Sequence, residues 1–123
     1  MKELEISKEL FNAVTNSKCH EVFVKNEFVI AHSNLGMKMV NIYEFVFIKC
    51  KEWANNLSPK RYQLYSGIAP KALGYSTCSI FSGAIEQTET KDSTEVEAII
   101  KACTHILNNL INLRRIERGD INC

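Results

Sequence analysis

The sequence predicts an α+β two-layer sandwich: a short N-terminal helix, then two ββα units whose antiparallel strands form one sheet with two long helices on one face. The first observation is that NIYEFVFIKCKEWANN, residues 41–56, and TEVEAIIKACTHILNN, residues 94–109, share the pattern [N/T]-x-x-E-x5-C-x4-N-N and apolar residues at helical spacing. The second is that each stretch follows a segment rich in β-branched and aromatic residues. At 123 residues the chain is expected to form one domain, with residues 114–123 as a tail.

The first half of the chain is expected to hold one short helix and one hairpin. Ser7 precedes apolar residues at helical spacing, which predicts a capped helix over residues 7–14. Strands are predicted over residues 21–25 and 28–33, with a turn at residues 26–27. Gly36 is the expected bend of the loop that follows, and residues 37–40 could add a short extended piece.

The second half is expected to hold a second hairpin before the closing helix. Strands are predicted over residues 62–68 and 74–82, joined by a loop that contains Pro70. The segment AIEQTETKDS, residues 84–93, is polar and rich in turn formers, which predicts a surface loop.

Each shared stretch begins with a capping box. Asn41 and Thr94 are predicted N-caps, with Glu44 and Glu97 at the third helical position. A helical wheel places the cysteine of each stretch, at positions 50 and 103, in the middle of the apolar face. A thiol there is expected to be a core residue, because no neighbouring cation activates it; a redox or catalytic role is the alternative. The repeated pattern reflects either internal duplication or convergence on the same helix rules.

Two bulky residues of the first long helix interrupt its polar side. On the wheel Phe45 and Ile48 project away from the apolar face, one turn apart. Such a pair marks either a contact with a second copy or a partner, or a site covered by the N-terminal helix or the tail.

Composition and charge exclude several classes of protein. Hydrophobic residues make up 46% of the chain and charged residues 24%, as in globular proteins. Lys plus Arg number 15 against 14 Asp plus Glu, so nucleic-acid binding is not expected. No apolar stretch approaches the roughly 18 residues of a membrane helix, and the charged N-terminus does not resemble a signal peptide. Five cysteines without a C-x-x-C pair predict reduced thiols in the cytosol.

Motifs that would carry catalysis or bind a cofactor are not found. His20, His32 and His105 do not have metal-ligand spacing, and Cys19-His20 is best explained as a strand-edge pair. No nucleophile elbow and no glycine-rich phosphate loop is recognisable. We therefore expect no catalytic, metal-binding or cofactor-binding residues; a thiol enzyme using Cys19 or Cys78 is the weakest alternative.

Two groups of surface residues are candidates for binding a partner or a ligand. Lys60 and Arg61 alternate with tyrosines in a pattern that suits either base stacking or a half-buried strand. The arginines beyond the last helix could grip phosphates or an acidic surface, or simply complement the helix C-terminus. Together with Phe45 and Ile48 the candidates are Arg61, Tyr62, Tyr65, Arg114, Arg115 and Arg118.

The two repeated helices resemble those of a widespread group of small uncharacterised phage and prophage proteins. In that group an IYE…KCKEWA-type helix precedes strands and a TEPEAIxKAC-type closing helix, and the resemblance covers roughly residues 41–110. The closing helix is more distantly similar to the phage ABA-sandwich class. The resemblance implies a phage accessory protein made in the bacterial host cytosol, and it carries over no catalytic residue.

These observations lead to two functional hypotheses. The first is a non-enzymatic phage or prophage accessory protein that binds and modulates a host protein, as an anti-CRISPR-like anti-defence inhibitor would, and that could also form a homodimer. The alternative is a sponge that binds a nucleotide or signalling molecule through Arg61, Arg114, Arg115 and the tyrosines. Fold-level analogy does not name the target.

Overall fold

The computed structural model describes residues 4–57, 60–68 and 74–117, with residue 68 and residues 113–117 described by their backbone alone. The described chain is α+β, with helices and two three-stranded antiparallel sheets. In chain order the elements are α1 (Lys8–Thr15), β1 (Glu21–Lys25), β2 (Phe28–Ser33), β3 (Gly36–Asn41), a π-helix (Glu44–Cys50) continued by α2 (Lys51–Asn55), β4 (Gln63–Ile68), β5 (Ser76–Ser82), β6 (Ile85–Asp92) and α3 (Glu95–Glu117).

The first helix and the first hairpin confirm their sequence predictions. The Ser7 hydroxyl accepts a hydrogen bond from the Leu10 N–H at 3.1 Å, which caps α1. The helix ends at Asn16, whose φ of 52° is left-handed. The turn between β1 and β2 depends on Asn26, which also adopts a positive φ of 57°. Asparagine tolerates this conformation better than most side chains do, so the two-residue turn is sterically accessible.

The topology differs from the prediction because β3 was predicted only in part and β6 was predicted as a loop. β3 extends over the whole of Gly36–Asn41 and pairs with β2. β6 occupies Ile85–Asp92, where a surface loop was predicted, and pairs with β5. Each unit is therefore βββα. The prediction of a single four-stranded sheet is wrong, because the strands form two separate sheets in the orders β1-β2-β3 and β4-β5-β6.

The polar strand β6 is held in place by tertiary contacts. Gly83, at φ 66°, allows the tight turn after β5. The Thr90 hydroxyl lies 2.7 Å from the Ala98 carbonyl oxygen in α3 and 3.3 Å from the Cys78 carbonyl oxygen in β5. An edge strand with polar residues on both faces lacks the apolar alternation by which strands are recognised, and its charges protect the edge from further pairing.

Both predicted capping residues occupy their expected positions. The Asn41 side-chain oxygen accepts hydrogen bonds from the N–H groups of Tyr43, at 2.9 Å, and Glu44, at 3.4 Å. The Thr94 hydroxyl oxygen accepts from the Glu97 N–H at 3.2 Å. These bonds satisfy donors that would otherwise be unpaired at the helix starts.

The π-helix overturns one assignment made on the helical wheel. Phe45 is fully buried, and its ring stacks on that of Phe11 in α1 with centroids 5.5 Å apart. A wheel drawn at α-helical spacing separates Phe45 from Cys50, whereas hydrogen bonds from residue i to i+5 bring residues five apart close to the same face. Phe45 is therefore a core residue. The alternative that the N-terminal helix covers it is confirmed, and the expectation that it contributes to a partner surface is wrong. Ile48 remains exposed.

The core lies between the helices and the inner faces of the two sheets. Helix α3 contacts all three strands of the second sheet as well as α1 and the π-helix. Helix α1 contacts β1 and the π-helix. The largest fully buried side chains are those of Leu10, Phe11, Val29, Phe45, Val46, Ile80, Ile99 and Ile106, together with Cys50, Cys78 and Cys103.

Candidate functional site

The cysteines of the repeated stretches meet in the core. Cys50 and Cys103 are both fully buried, and the Cys103 Sγ lies 4.0 Å from the Cys50 carbonyl oxygen. A hydrogen bond with the Cys50 side chain, followed by burial, raises the pKa of the Cys103 thiol well above its ordinary value. The thiol therefore stays protonated near neutral pH, which is the opposite of what a nucleophile needs. The prediction that both cysteines are core residues is confirmed.

The other thiols that were considered for catalysis are also buried. Burial, followed by the proximity of Cys103, raises the pKa of Cys78 to about 12. The backbone of Cys19 is held by Asn12, whose side-chain oxygen accepts from the Cys19 N–H at 2.8 Å and whose side-chain amide donates to the Cys19 carbonyl at 2.9 Å. Cys19 is therefore a structural residue, held at the junction between α1 and β1.

The histidines do not converge on a metal-like site. His20 is exposed, and its backbone N–H donates to the His32 carbonyl oxygen at 2.9 Å. The His32 ring stacks on Phe23 with centroids 6.0 Å apart, and His105 is exposed on α3. Across residues 4–57, 60–68 and 74–117, no three His, Cys, Asp or Glu side chains lie close enough together to hold a metal ion.

The residues proposed for a nucleotide pocket lie in different environments. Tyr65 is exposed on β4, where its ring meets Phe81 edge-on, and it borders a shallow groove of about 300 Å³ that Arg61 does not border. Tyr62 packs against the core, and the Lys60 ammonium lies 5.6 Å from its ring centroid. Arg114 and Arg115 fall within the backbone bounds of α3, so the expectation that they lie beyond the last helix is wrong. Their side chains lie outside the described residues, as does the whole of Arg118.

A patch on the outer side of the π-helix is the strongest candidate for a contact surface. We define the π-helix patch as Tyr43, Phe47 and Ile48. Tyr43 is 53% exposed and Ile48 52% exposed. The rings of Tyr43 and Phe47 stack with centroids 6.4 Å apart and planes 12° apart, and the Lys51 ammonium lies 5.5 Å from the Phe47 centroid. The stacking fixes the aromatic side chains in place, so little side-chain entropy remains to be lost on binding.

A groove of about 360 Å³ runs beside the π-helix patch. Its aromatic wall is formed by Tyr43 and Phe47, and its other walls include Glu27 from the β1–β2 turn and Glu95 from the first turn of α3. A surface of this kind favours a partner side chain that combines an apolar stem with positive charge, because aromatic faces and carboxylates both attract cations.

The sequence contained part of the signal for this site. Ile48 was recognised as an exception on the polar side, and the structure leaves it exposed. Tyr43 and Phe47 were not among the sequence-based candidates, because at regular α-helical spacing they fall on the apolar face. No sequence rule distinguished π-helical from α-helical hydrogen bonding here, so the rotation of the helix surface became visible only in the structure.

Comparisons with known proteins give no relative for this fold and site. Neither a protein-family model, nor a curated protein, nor a solved structure matches the chain. Within the part of the chain that the structure describes, none of the helices has the combination of length and apolar character needed to cross a bilayer.

Proposed function

We propose that this chain is a non-enzymatic phage or prophage accessory protein that binds and modulates a protein of the bacterial host cytosol, in the manner of an anti-CRISPR-like anti-defence inhibitor. The observation that carries the binding role is the π-helix patch beside its acidic groove. The phage origin rests on the resemblance of residues 41–110 to the phage group.

The chemistry of the patch suits a protein contact. Aromatic residues are enriched in protein interfaces, and Tyr43 and Ile48 present large apolar surfaces to solvent. π-Helical turns are rare and frequently occur at functional sites, which further supports a role for this surface. The carboxylates of Glu27 and Glu95 favour a partner that places an arginine or lysine in the groove.

The buried thiols support a role without catalysis. Cys50, Cys78 and Cys103 are fully buried, and the pKa values of Cys78 and Cys103 are raised rather than lowered. A nucleophilic or redox-active cysteine needs the reverse, a thiolate that solvent or substrate can reach. The exposed apolar patch is therefore the better guide to function.

The test is an affinity capture from a bacterial host, with mass-spectrometric identification of bound proteins and small molecules. We expect a reproducible protein partner that is lost from the Ile48→Glu and Tyr43→Ala variants. Ile85→Glu is the matched control, because Ile85 is a similarly exposed apolar residue on β6 in the second sheet. Capture of a nucleotide without a protein partner, or equal loss of the partner from all three variants, contradicts the proposal.

A further inference from the structure

The outer face of the first sheet presents a regular grid of side chains. Directly paired residues in neighbouring strands point to the same face, so the register of β1, β2 and β3 defines three rows across the sheet. The rows, listed from β1 to β3, are Glu21, His32 and Met37; Phe23, Ile30 and Met39; and Lys25, Phe28 and Asn41.

This grid is apolar along its middle row, and six of its nine side chains are exposed. Met37 is 58% exposed and Met39 56% exposed, and Phe23 and Phe28 also present large surfaces to solvent. The corresponding face of the second sheet is mostly polar, with rows such as Tyr65, Ser79 and Glu89, and Gly67, Thr77 and Lys91. An exposed apolar sheet face with charged residues at two of its corners, here Glu21 and Lys25, is typical of an association surface.

The charges of the grid are arranged so that the face is complementary to itself. Glu21 and Lys25 lie at opposite ends of β1 on the same face, with Phe23 between them. We propose that a second copy of this chain docks on this face, related by a two-fold axis that lies between the sheets and runs perpendicular to the strands. This axis reverses the order of the rows, so Glu21 faces Lys25 of the second copy and Lys25 faces Glu21 of the second copy.

The same axis pairs the remaining rows favourably. Phe23 faces Phe23 of the second copy on the edge strand β1, which buries both rings, and Ile30 faces Ile30 at the centre of the contact. His32 faces Phe28 of the second copy, an imidazole against an aromatic ring. Each charge therefore meets its opposite, and every other pair, including Met37 against Asn41, contains at least one apolar side chain. This self-complementarity is what an isologous interface requires. A two-fold axis parallel to the strands would instead oppose Glu21 to Met37 and leave the charges unpaired.

The small area of the face limits the affinity of the dimer. Three strands about 4.8 Å apart, each contributing about five residues at about 3.4 Å, give a footprint well below the roughly 800 Å² per partner of a standard interface. The dimer is accordingly weak, with dissociation in the micromolar-to-millimolar range at about 25 °C. This inference is independent of the proposed function, because none of its residues belongs to the π-helix patch.

Sedimentation equilibrium from about 10 to about 500 µM protein, in reducing buffer, tests the proposal through charge reversal. We expect Glu21→Lys and Lys25→Glu each to weaken self-association by about tenfold, which corresponds to about 1.4 kcal/mol. An equimolar mixture of the two variants should associate as tightly as the original chain, because every charge then meets its opposite. The control is Glu86→Lys, a charge reversal at an exposed position on β6, which should leave the association unchanged.

The mixing experiment distinguishes this arrangement from other modes of association. Far-UV circular dichroism establishes that the exposed-site variants are folded before they are compared. A chain that stays monomeric at about 500 µM overturns the proposal. So does a mixture of Glu21→Lys and Lys25→Glu that associates no more tightly than either variant alone.

Discussion

Cys103 Sγ lies 4.0 Å from the carbonyl oxygen of Cys50, so equivalent positions of the two repeated stretches touch each other in the core. Contact between equivalent residues is what a pseudo-two-fold relation between two βββα units would produce, since such residues approach each other at the axis. Both units follow the same order of three antiparallel strands and a helix. The shared topology extends the similarity of the two stretches from their helices to the three-stranded sheets that precede them.

Truncating either cysteine should lower stability without affecting binding. We expect Cys50→Ala and Cys103→Ala each to reduce the free energy of unfolding by about 1 kcal/mol, because each removes one buried atom from a fully packed site. Since the two residues are in contact, the double variant should depart from additivity by about 0.5 kcal/mol or more. Urea denaturation in reducing buffer measures both quantities. Loss of partner binding by a stably folded variant would show that a thiol takes part in function.

Alkaline pH should destabilise the fold through its buried thiols. The pKa of Cys78 rises from 9.0 to about 12 on folding, so the folded state retains a proton that the unfolded state releases. The contribution of the Cys78 thiol to the free energy of unfolding is fully present below about pH 9. It is lost as the pH rises from there through the folded pKa, by about 1 kcal/mol per pH unit.

The pH dependence is measured by urea denaturation between about pH 8 and pH 10. Cys78→Ala should flatten the decline, because it removes one of the responsible groups. Ile80→Val, at a buried position in the same strand, should lower stability by the same amount at every pH. An unchanged slope in Cys78→Ala would mean that this thiol ionises in the folded protein.

Phe45 and Ile48 should behave oppositely although they lie only three residues apart. Phe45→Ala removes a fully buried ring that stacks on Phe11, so we expect a loss of about 3–4 kcal/mol in the free energy of unfolding. Ile48→Ala, at a site exposed on the π-helix patch, should cost less than about 0.5 kcal/mol. Chemical denaturation of the two variants is the measurement. Similar losses for both would indicate that the first turns of this helix are α-helical in solution.

The stability of the polar strand β6 should depend on the hydroxyl of Thr90. Thr90→Val keeps the shape of the side chain but leaves the Ala98 carbonyl without the hydroxyl that donates to it at 2.7 Å. We expect a loss of about 1–2 kcal/mol. Thr88→Val is the matched control, because Thr88 lies two residues earlier on the same face and should tolerate the change within about 0.5 kcal/mol. Hydrogen exchange of the β6 amides reports whether the strand loosens; equal protection in both variants would contradict this anchoring role.

Local sequence rules predicted the elements whose signals lie within a few residues. Ser7, Asn41 and Thr94 were recognised as N-caps because a cap is a contact between a side chain and a backbone group two or three positions away. The first hairpin was predicted with its observed bounds, because apolar alternation and the turn at Asn26 are local as well. The positions of Cys50 and Cys103 in the core followed from helical spacing alone.

Local sequence patterns therefore account for the α+β class, the two capped helices, their buried cysteines and the first hairpin. The tertiary structure alone decided that there are two sheets, that residues 85–92 form a strand, and that Phe45 turns inward while Tyr43 and Phe47 form a patch with Ile48. The reason is the range of the interactions. A polar strand is stabilised by pairing with β5 and by the bond from Thr90 to α3, and a π-helix by the packing of Phe45 on α1. Neither leaves a periodic signal in its own residues.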